Sequence, residues 1–257
     1  MASEWHLWID PVRRPGWANM AIDQSLLDRA DAAGERWLRL YRWSPHCLSF
    51  GRHEPATRRY DPARIAELHL DLVRRPTGGR AVWHAEEVTY SVALPSAGLG
   101  GIREACLEIH RMLLDALLHL GVPAGLAPAA RPASLDAGAC FAQASGGEIV
   151  VSGRKVVGSA QLRQGNALLQ HGSILIDGGQ ELVAAVSRGA RTPEPGLLHR
   201  PLLLKPPAAE AVVDAVARAA RARWGGTWRR RHVARALLHD SDRHAARFRS
   251  REWTWRV

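Results

Sequence analysis

Along the chain the spacing of hydrophobic positions switches between two residues and about 3.6, and each switch predicts an element. Residues 5 to 10 read as a short strand, and Asn19 to Ala33 places Met20, Ile22, Leu26, Leu27 and Ala30 at helical spacing. A strand pair is expected at about 37 to 51. Asp61 and Pro62 then supply an N-cap and a first-turn proline for a helix that runs to about His69. Strands follow at about 71 to 75, 80 to 84 and 87 to 94, divided by the turn Thr77-Gly78-Gly79. From Ile102 to Leu120, Ala105, Ile109, Met112, Leu113, Ala116, Leu117 and Leu120 fall on one face, which predicts a central amphipathic helix.

Residues 121 to 139 are rich in Pro, Ala and Gly and read as a connection with at most a short strand. Alternating segments at about 147 to 152, 154 to 162 and 167 to 176, punctuated by Ser152-Gly153 and Gly165-Asn166, predict an antiparallel meander. Helices are expected again at 178 to 188 and 207 to 224, and the basic run Trp228 to His232 reads as the start of another. Strands and helices without regular alternation favour an α+β layer architecture with a mainly antiparallel sheet. The expectation is one domain over residues 1 to 257, with a helical C-terminal region from about 207.

Composition narrows the function classes. A hydrophobic content of 46% is ordinary for a globular core, and three cysteines without repeated spacing give neither a disulfide framework nor a zinc pattern. No leader-like segment or spanning helix is visible, so the reading is a soluble, cytoplasmic chain with no membrane partner and no metal. The net charge of +10 makes nucleic acid an alternative partner, but the arginines are scattered along the chain and form no block. No nucleic acid is therefore expected, and the densest run, Trp228 to His232, reads as a solvated face.

Only two residues in this arginine-rich chain are lysines, Lys155 and Lys205. Lys155 sits in a glycine-bracketed, strand-like segment from Ser152 to Gln161. A lysine ammonium is a compact charge that approaches a single oxygen, which arginine's planar fork does not imitate. It is either an exposed strand residue or a chemical group. Cys140 follows an irregular stretch and precedes the Lys155 strand; a loop cysteine beside a cation acquires thiolate character. Cys106 and Cys47 read as buried packing residues. Between Arg74 and His84, the glycines of the turn let a ligand approach the backbone, and Arg75 and Arg80 flank it.

Taken together, these segments resemble the lipoate ligase and octanoyltransferase superfamily. The resemblance rests on Asn19-Met20-Ala21-Ile22-Asp23, on Arg74 to His84 with Val88-Thr89-Tyr90-Ser91-Val92 after it, and on Gly153 to Ile176. It extends from the first strand to about residue 185. Cys140-Phe141 ahead of the Gly153 to Gln161 strand makes the chain most similar to the cysteine-dependent octanoyltransferases first described in Gram-positive bacteria. The implied fold is that of class II aminoacyl-tRNA synthetases and biotin/lipoate protein ligases.

The implied reaction moves octanoyl from octanoyl-acyl carrier protein to a lysine of an apo lipoyl domain, such as the glycine cleavage H protein or a 2-oxoacid dehydrogenase E2. Cys140 would be the nucleophile and Lys155 would hold the carbonyl and its oxyanion, with no cofactor required. Arg75, Thr77, Gly78, Gly79, Arg80, Val82, His84, Gly158, Ser159, Ala160, His171 and Gly172 are the residues the motifs offer for substrate binding. Val156, Val157 and Leu169 are further apolar candidates for the acyl slot. Three features depart from the family pattern. Arg80 stands where many ATP-using ligases carry a third glycine, Ala85 stands where an aspartate is common, and no further C-terminal domain is read. The rivals are an ATP-dependent lipoate ligase, an amidotransferase between lipoyl domains and, from another class, a basic nucleic-acid-binding protein.

Overall fold

A computed structural model describes residues 3–97, 101–128, 146–189, 206–232 and 235–256. In chain order the elements are β1 (Glu4–Ile9), α1 (Gly16–Ala33), β2 (Trp37–Tyr41), β3 (Cys47–Phe50), α2 (Ala56–Arg59), α3 (Pro62–Glu67), β4 (Asp71–Arg74) and β5 (Val82–His84). Next come β6 (Glu87–Pro95), α4 (Ile102–His119), β7 (Ala124–Leu126), β8 (Ile149–Val151), β9 (Arg154–Lys155), β10 (Val157–Gln164) and β11 (Ala167–Leu175). The chain continues with α5 (Glu181–Ala185), α6 (Ala209–Trp224), β12 (Thr227–Arg230), α7 (Arg235–Arg249) and α8 (Arg251–Trp255).

Among the described residues the main sheet has six strands in the order β10-β11-β6-β2-β1-β12. It is antiparallel from β10 through β2 and parallel across β2, β1 and β12. Period-two alternation assigns its two faces. Val88, Tyr90, Val92 and Leu94 of β6 join the α4 and α6 side chains in the largest apolar cluster, while Ala93 joins Ile22, Leu26 and Leu27 of α1 and Leu237 of α7. Helices thus cover both faces. The expected α4 face is the buried one, with Ala105, Ile109, Met112, Leu113, Ala116 and Leu117 all inside. α1 is buried nearly all round and stops at Gly34, whose left-handed φ of 67° lets its N–H return to the carbonyl of Ala30.

Two small sheets complete the architecture, one ordered β4-β3-β5 and the other β7-β8-β9. Each corrects a sequence expectation. β2 and β3 are not a pair, because β2 belongs to the main sheet and β3 to the first small one. The expected meander is also divided: the β10-β11 hairpin extends the main sheet, whereas β8 and β9 turn away to pair with β7. Trp228 begins no helix. It lies in β12, parallel to β1 with Trp228 opposite Trp5, and the two rings stack at 5.2 Å. The expected helix at 178 to 188 shrinks to Glu181–Ala185, and α7 and α8 add helical structure after it.

Candidate active site

The turn after β4 is shaped by close backbone packing. Gly79 has a left-handed φ of 89°. A Cβ on Gly51, at the end of β3, would run into the Gly79 carbonyl. The Arg52 N–H donates to the Thr77 carbonyl at 2.8 Å, so the two loops are stitched together. Arg75, only 4% exposed, braces the turn from within. Its Nη1 donates to the Ser49 carbonyl and hydroxyl at 3.0 and 2.5 Å, and its Nη2 donates to the carbonyls of Gly78 and Arg80 at 3.1 and 2.9 Å. Arg80 is buried as well. Neither arginine is a solvated side chain.

Between the braced turn, β5 and the β10-β11 hairpin lies a cavity of about 30 Å³. It is lined by Arg75, Gly79, Val82, His84, Gly158, Ser159, Ala160, His171 and Gly172, all of them sequence candidates, drawn from two segments about 80 residues apart. Gly172 cannot carry a side chain, since a Cβ there would meet the Gly158 carbonyl and the rings and hydroxyls beyond it. Met20, Tyr41, Trp43, Thr89 and Ser173 complete the wall and were not among the candidates. Met20, Thr89 and Ser173 lie inside quoted motifs, which was the available signal; Tyr41 and Trp43 carried none. Thr77, Gly78 and Arg80 stand behind the wall. Val156, Val157 and Leu169, apolar candidates for the slot in the sequence, are core residues and do not line it.

Two buried histidines face the cavity, each held by a carboxylate. His171 Nδ1 donates to Asp23 Oδ2 at 2.9 Å, which leaves Nε2 to accept the Thr77 hydroxyl at 2.6 Å. Asp23 also accepts from Tyr41 at 2.8 Å and from fully buried Arg39 at 3.0 Å. Burial alone would raise the Asp23 pKa, but the His171 hydrogen bond and the Arg39 charge prevail and hold it below the usual range. His84 Nδ1 donates to Glu87 Oε1 at 2.8 Å, and its Nε2 accepts the Ser49 hydroxyl at 2.6 Å. Burial lowers the His84 pKa against the pull of Glu87, so the ring that stacks on Trp43 at 3.9 Å is neutral. The Glu87 carboxylate therefore fixes the tautomer of the neutral His84 ring.

Lys155 does not line the cavity. It is 5% exposed on β9, and its Nζ donates to Glu148 Oε1 at 2.7 Å. Close by, His110 of α4 bridges from the Gly147 carbonyl at 2.7 Å to the Ser159 hydroxyl at 2.8 Å. Ser159 is thus the point where this polar cluster meets the cavity. Cys106 approaches His110 at 3.8 Å, and burial pushes its thiol up to about 11, which keeps it protonated. It is less buried than expected, whereas Cys47 is fully enclosed. Cys140 lies outside the described residues. Among the described residues no group of His, Cys, Asp and Glu is arranged to hold a metal ion.

A mixed sheet covered by helices on both faces, with a narrow slot between a glycine turn and an edge hairpin, defines an α+β protein of the lipoate-ligase type. The chain belongs to the family of lipoyl protein ligase A/B catalytic domains, which it matches over residues 15–194. It is 43% identical over 159 residues to the octanoyltransferase LipM of Symbiobacterium thermophilum, covering 59% of this chain and 57% of that one. Against octanoyltransferase LipM of Exiguobacterium sibiricum the identity is 41% over 130 residues, 48% of this chain and 46% of the other. The aligned part spans about half the length of these curated relatives. Among solved structures, a lipoate-protein ligase A bound with ATP superposes with a TM-score of 0.79 at 18% identity over 99% of each chain. A putative lipoate protein ligase from T. acidophilum with bound lipoic acid gives 0.77, also at 18% identity, over 99% of this chain and 100% of that one. These two structures establish the fold.

Proposed function

We propose that the chain is an acyltransferase of lipoate biosynthesis, a single cytoplasmic catalytic domain that moves octanoyl from acyl carrier protein to a lysine of an apo lipoyl domain. One observation carries the reading: the glycine-turn motif and the hairpin motif converge on one slot, whose Ser159 bonds His110, a ring that feels the Lys155 charge. Similarity to octanoyltransferases supports the choice of acyl group. Among the described residues no helix is long and apolar enough to cross a membrane, in keeping with a soluble carrier-protein substrate.

The chemistry follows from the bond types. The Cys140 thiolate attacks the donor thioester, the carrier thiol leaves, and an octanoyl thioester on the enzyme results, a nearly isoenergetic exchange. The acceptor amine then displaces Cys140 and forms an amide, so the thioester itself supplies the activation and no ATP is required. The Lys155 ammonium, held on Glu148 outside the cavity, turns from that carboxylate to meet the oxyanion in both steps, where a donor contributes about 3 kcal/mol. Met20, Tyr41, Trp43 and Val82 form the apolar wall for the acyl chain. A slot of about 30 Å³ is far below the several hundred Å³ of a filled ligand pocket, so the chain enters as side chains yield, flexible Met20 first.

The test mixes enzyme, octanoyl-acyl carrier protein and apo lipoyl domain without ATP and follows intact masses. An octanoyl adduct on the enzyme is expected, lost in Cys140→Ser together with transfer. Transfer that requires ATP, or that survives Cys140→Ser, refutes the proposal in favour of a ligase.

A further inference from the structure

Ser159 belongs to a chain of hydrogen bonds whose direction is fixed by its ends. Gln161 Nε2 donates to Gln170 Oε1 at 2.7 Å, and Gln170 Nε2 donates to the Tyr90 hydroxyl at 2.8 Å. Tyr90 lies 2.7 Å from Ser159 Oγ, and Ser159 lies 2.8 Å from His110 Nε2. At the far end the Gly147 carbonyl only accepts, so His110 Nδ1 carries the proton and its Nε2 is a lone-pair acceptor. The Ser159 hydroxyl therefore donates to Nε2 and accepts from Tyr90. Every member is satisfied, and the only proton acceptor in this chain able to hold a full positive charge is His110.

Position separates this pair from the two buried histidines that face the cavity. The hydroxyls at His171 Nε2 and His84 Nε2 belong to Thr77 and Ser49, which do not line the cavity, and the lining hydroxyl of Ser173, 3.2 Å from His84 Nδ1, donates to Glu87; Ser159 both lines the cavity and meets an accepting ring nitrogen. We infer that Ser159 and His110 form a proton relay for the acyl-transfer step, a role deeper within the proposed function and dependent on it. As the acceptor amine adds to the enzyme thioester, a C–N bond forms and the nitrogen sheds a proton to Ser159 Oγ. Ser159 passes its own proton to His110 Nε2. The C–S bond then breaks, the sulfur keeps the electron pair, and the imidazolium returns the proton to that thiolate through the same hydroxyl. No other reactant is consumed. His110 acts through Ser159 and is a positioning and proton-holding residue, not one that touches the acyl group.

The surroundings suit a base that charges only transiently. Burial lowers the His110 pKa, opposed by the Gly147 hydrogen bond and the Glu148 carboxylate and reinforced by the Lys155 charge. Cys106 on the same helix is a neutral thiol, and Tyr90 across the pair is buried with its pKa raised, so it is neutral as well. At neutral pH the imidazole is thus free to accept.

The experiment separates the two half-reactions. Acyl-enzyme is formed and isolated from wild type, Ser159→Ala, His110→Gln and the double variant, then mixed with apo lipoyl domain from pH 5.5 to 9 and followed by intact mass. The transfer step is expected to fall by about 10²-fold in each single variant, a typical loss for a general base, and by clearly more than acyl-enzyme formation does. The double variant is expected to fall no further, and the acidic limb of the transfer profile, below about pH 6.5, disappears in His110→Gln. Ser159→Ala removes one partly exposed hydroxyl and keeps the test interpretable if the buried His110→Gln misfolds. Undiminished transfer in either folded variant overturns the relay, as does an equal loss in both half-reactions or an octanoyl ester mapped to Ser159. Absence of any acyl-enzyme in wild type overturns the proposed function itself, and the relay with it.

Discussion

Replacing Lys155 by Met leaves Glu148 without its 2.7 Å ammonium partner, in a pair whose side chains are only 3% and 14% exposed. Breaking a fully buried ion pair costs about 3–5 kcal/mol, and the residual solvent at Glu148 reduces this to about 2 kcal/mol. In a chain of this size that corresponds to a fall of about 4–8 °C in Tm. Turnover is expected to fall much further, by about 10²- to 10³-fold, because an oxyanion donor is lost. The two effects separate in Lys155→Met/Glu148→Gln, where the carboxylate itself is gone. Melting curves and ATP-free transfer rates on both variants provide the assay: Tm should return most of the way towards wild type while transfer stays at the single-variant level. Lys155→Arg, which keeps the charge but not the point geometry, should also lose most activity. Recovery of transfer in the double variant, or near-normal turnover in Lys155→Arg, would show that Lys155 serves only the ion pair.

Gly51→Ala places a methyl against the Gly79 carbonyl, a backbone atom that cannot swing aside. The variant should lose about 1–3 kcal/mol in urea denaturation, as overpacked sites do, and lose acyl-enzyme formation because the turn lining the slot is displaced; wild-type activity in a stable variant would refute the stitched-loop account. Acid should destabilise the fold in two stages. His84 and His110 sit below their ordinary 6.5, chiefly through burial, so the unfolded chain binds protons first and their contribution, complete above pH 6.5, is lost as pH falls through the lowered values. Asp10 and Asp23 are held below 3.8, by Arg14 and Arg39 at Asp10 and by His171 and Arg39 at Asp23, against the opposing effect of burial, and extend the loss at lower pH. Urea midpoints at pH 8, 6.5, 5 and 3.5 should decline at each step below 6.5, and a midpoint unchanged from pH 8 to 5 would contradict the assigned environments.

The slot was legible where a short stretch of sequence carries several of its walls. Arg75, Gly79, Val82 and His84 belong to one turn and strand, and Gly158 to Ala160, His171 and Gly172 to one hairpin, so local pattern and family motif place them together. Tyr41 reaches the same slot through the β2-β6 pairing, and Trp43, just past β2, through its indole hydrogen bond to Thr89 of β6, neither of which local spacing announces. His110 shows the limit of periodicity. Its helix and buried face were readable, but the Gly147 and Ser159 partners that turn a buried histidine into a poised acceptor are 37 and 49 residues away. Trp228 fails for the same reason: its strand exists because β1 offers an edge more than 220 residues earlier.

Charge was the least legible property, since composition counts arginines without knowing which are inside. Arg39 and Arg74 are fully buried. Arg39 is neutralised by Asp10 and Asp23 beneath the slot, at 2.9 and 3.0 Å. Among the described residues Arg74 makes no such carboxylate contact and is held by main-chain carbonyls instead: Gly51 at 2.6 Å and Glu54 at 2.9 Å on one side, Trp253 and Thr254 at 3.0 Å and Arg256 at 2.8 Å on the other. Burial lowers its pKa to about 10, still well above neutrality, so the cation persists and every carbonyl dipole around it is favourable. The consequence reaches the site. Gly51 packs on Gly79, Arg52 bonds Thr77, and Arg74 ties that same loop to α8, so the C-terminal segment that read as a helical appendage buttresses the glycine turn. An arginine that counts towards a nucleic-acid-like net charge is, in the folded chain, a structural cation that holds the wall of the slot.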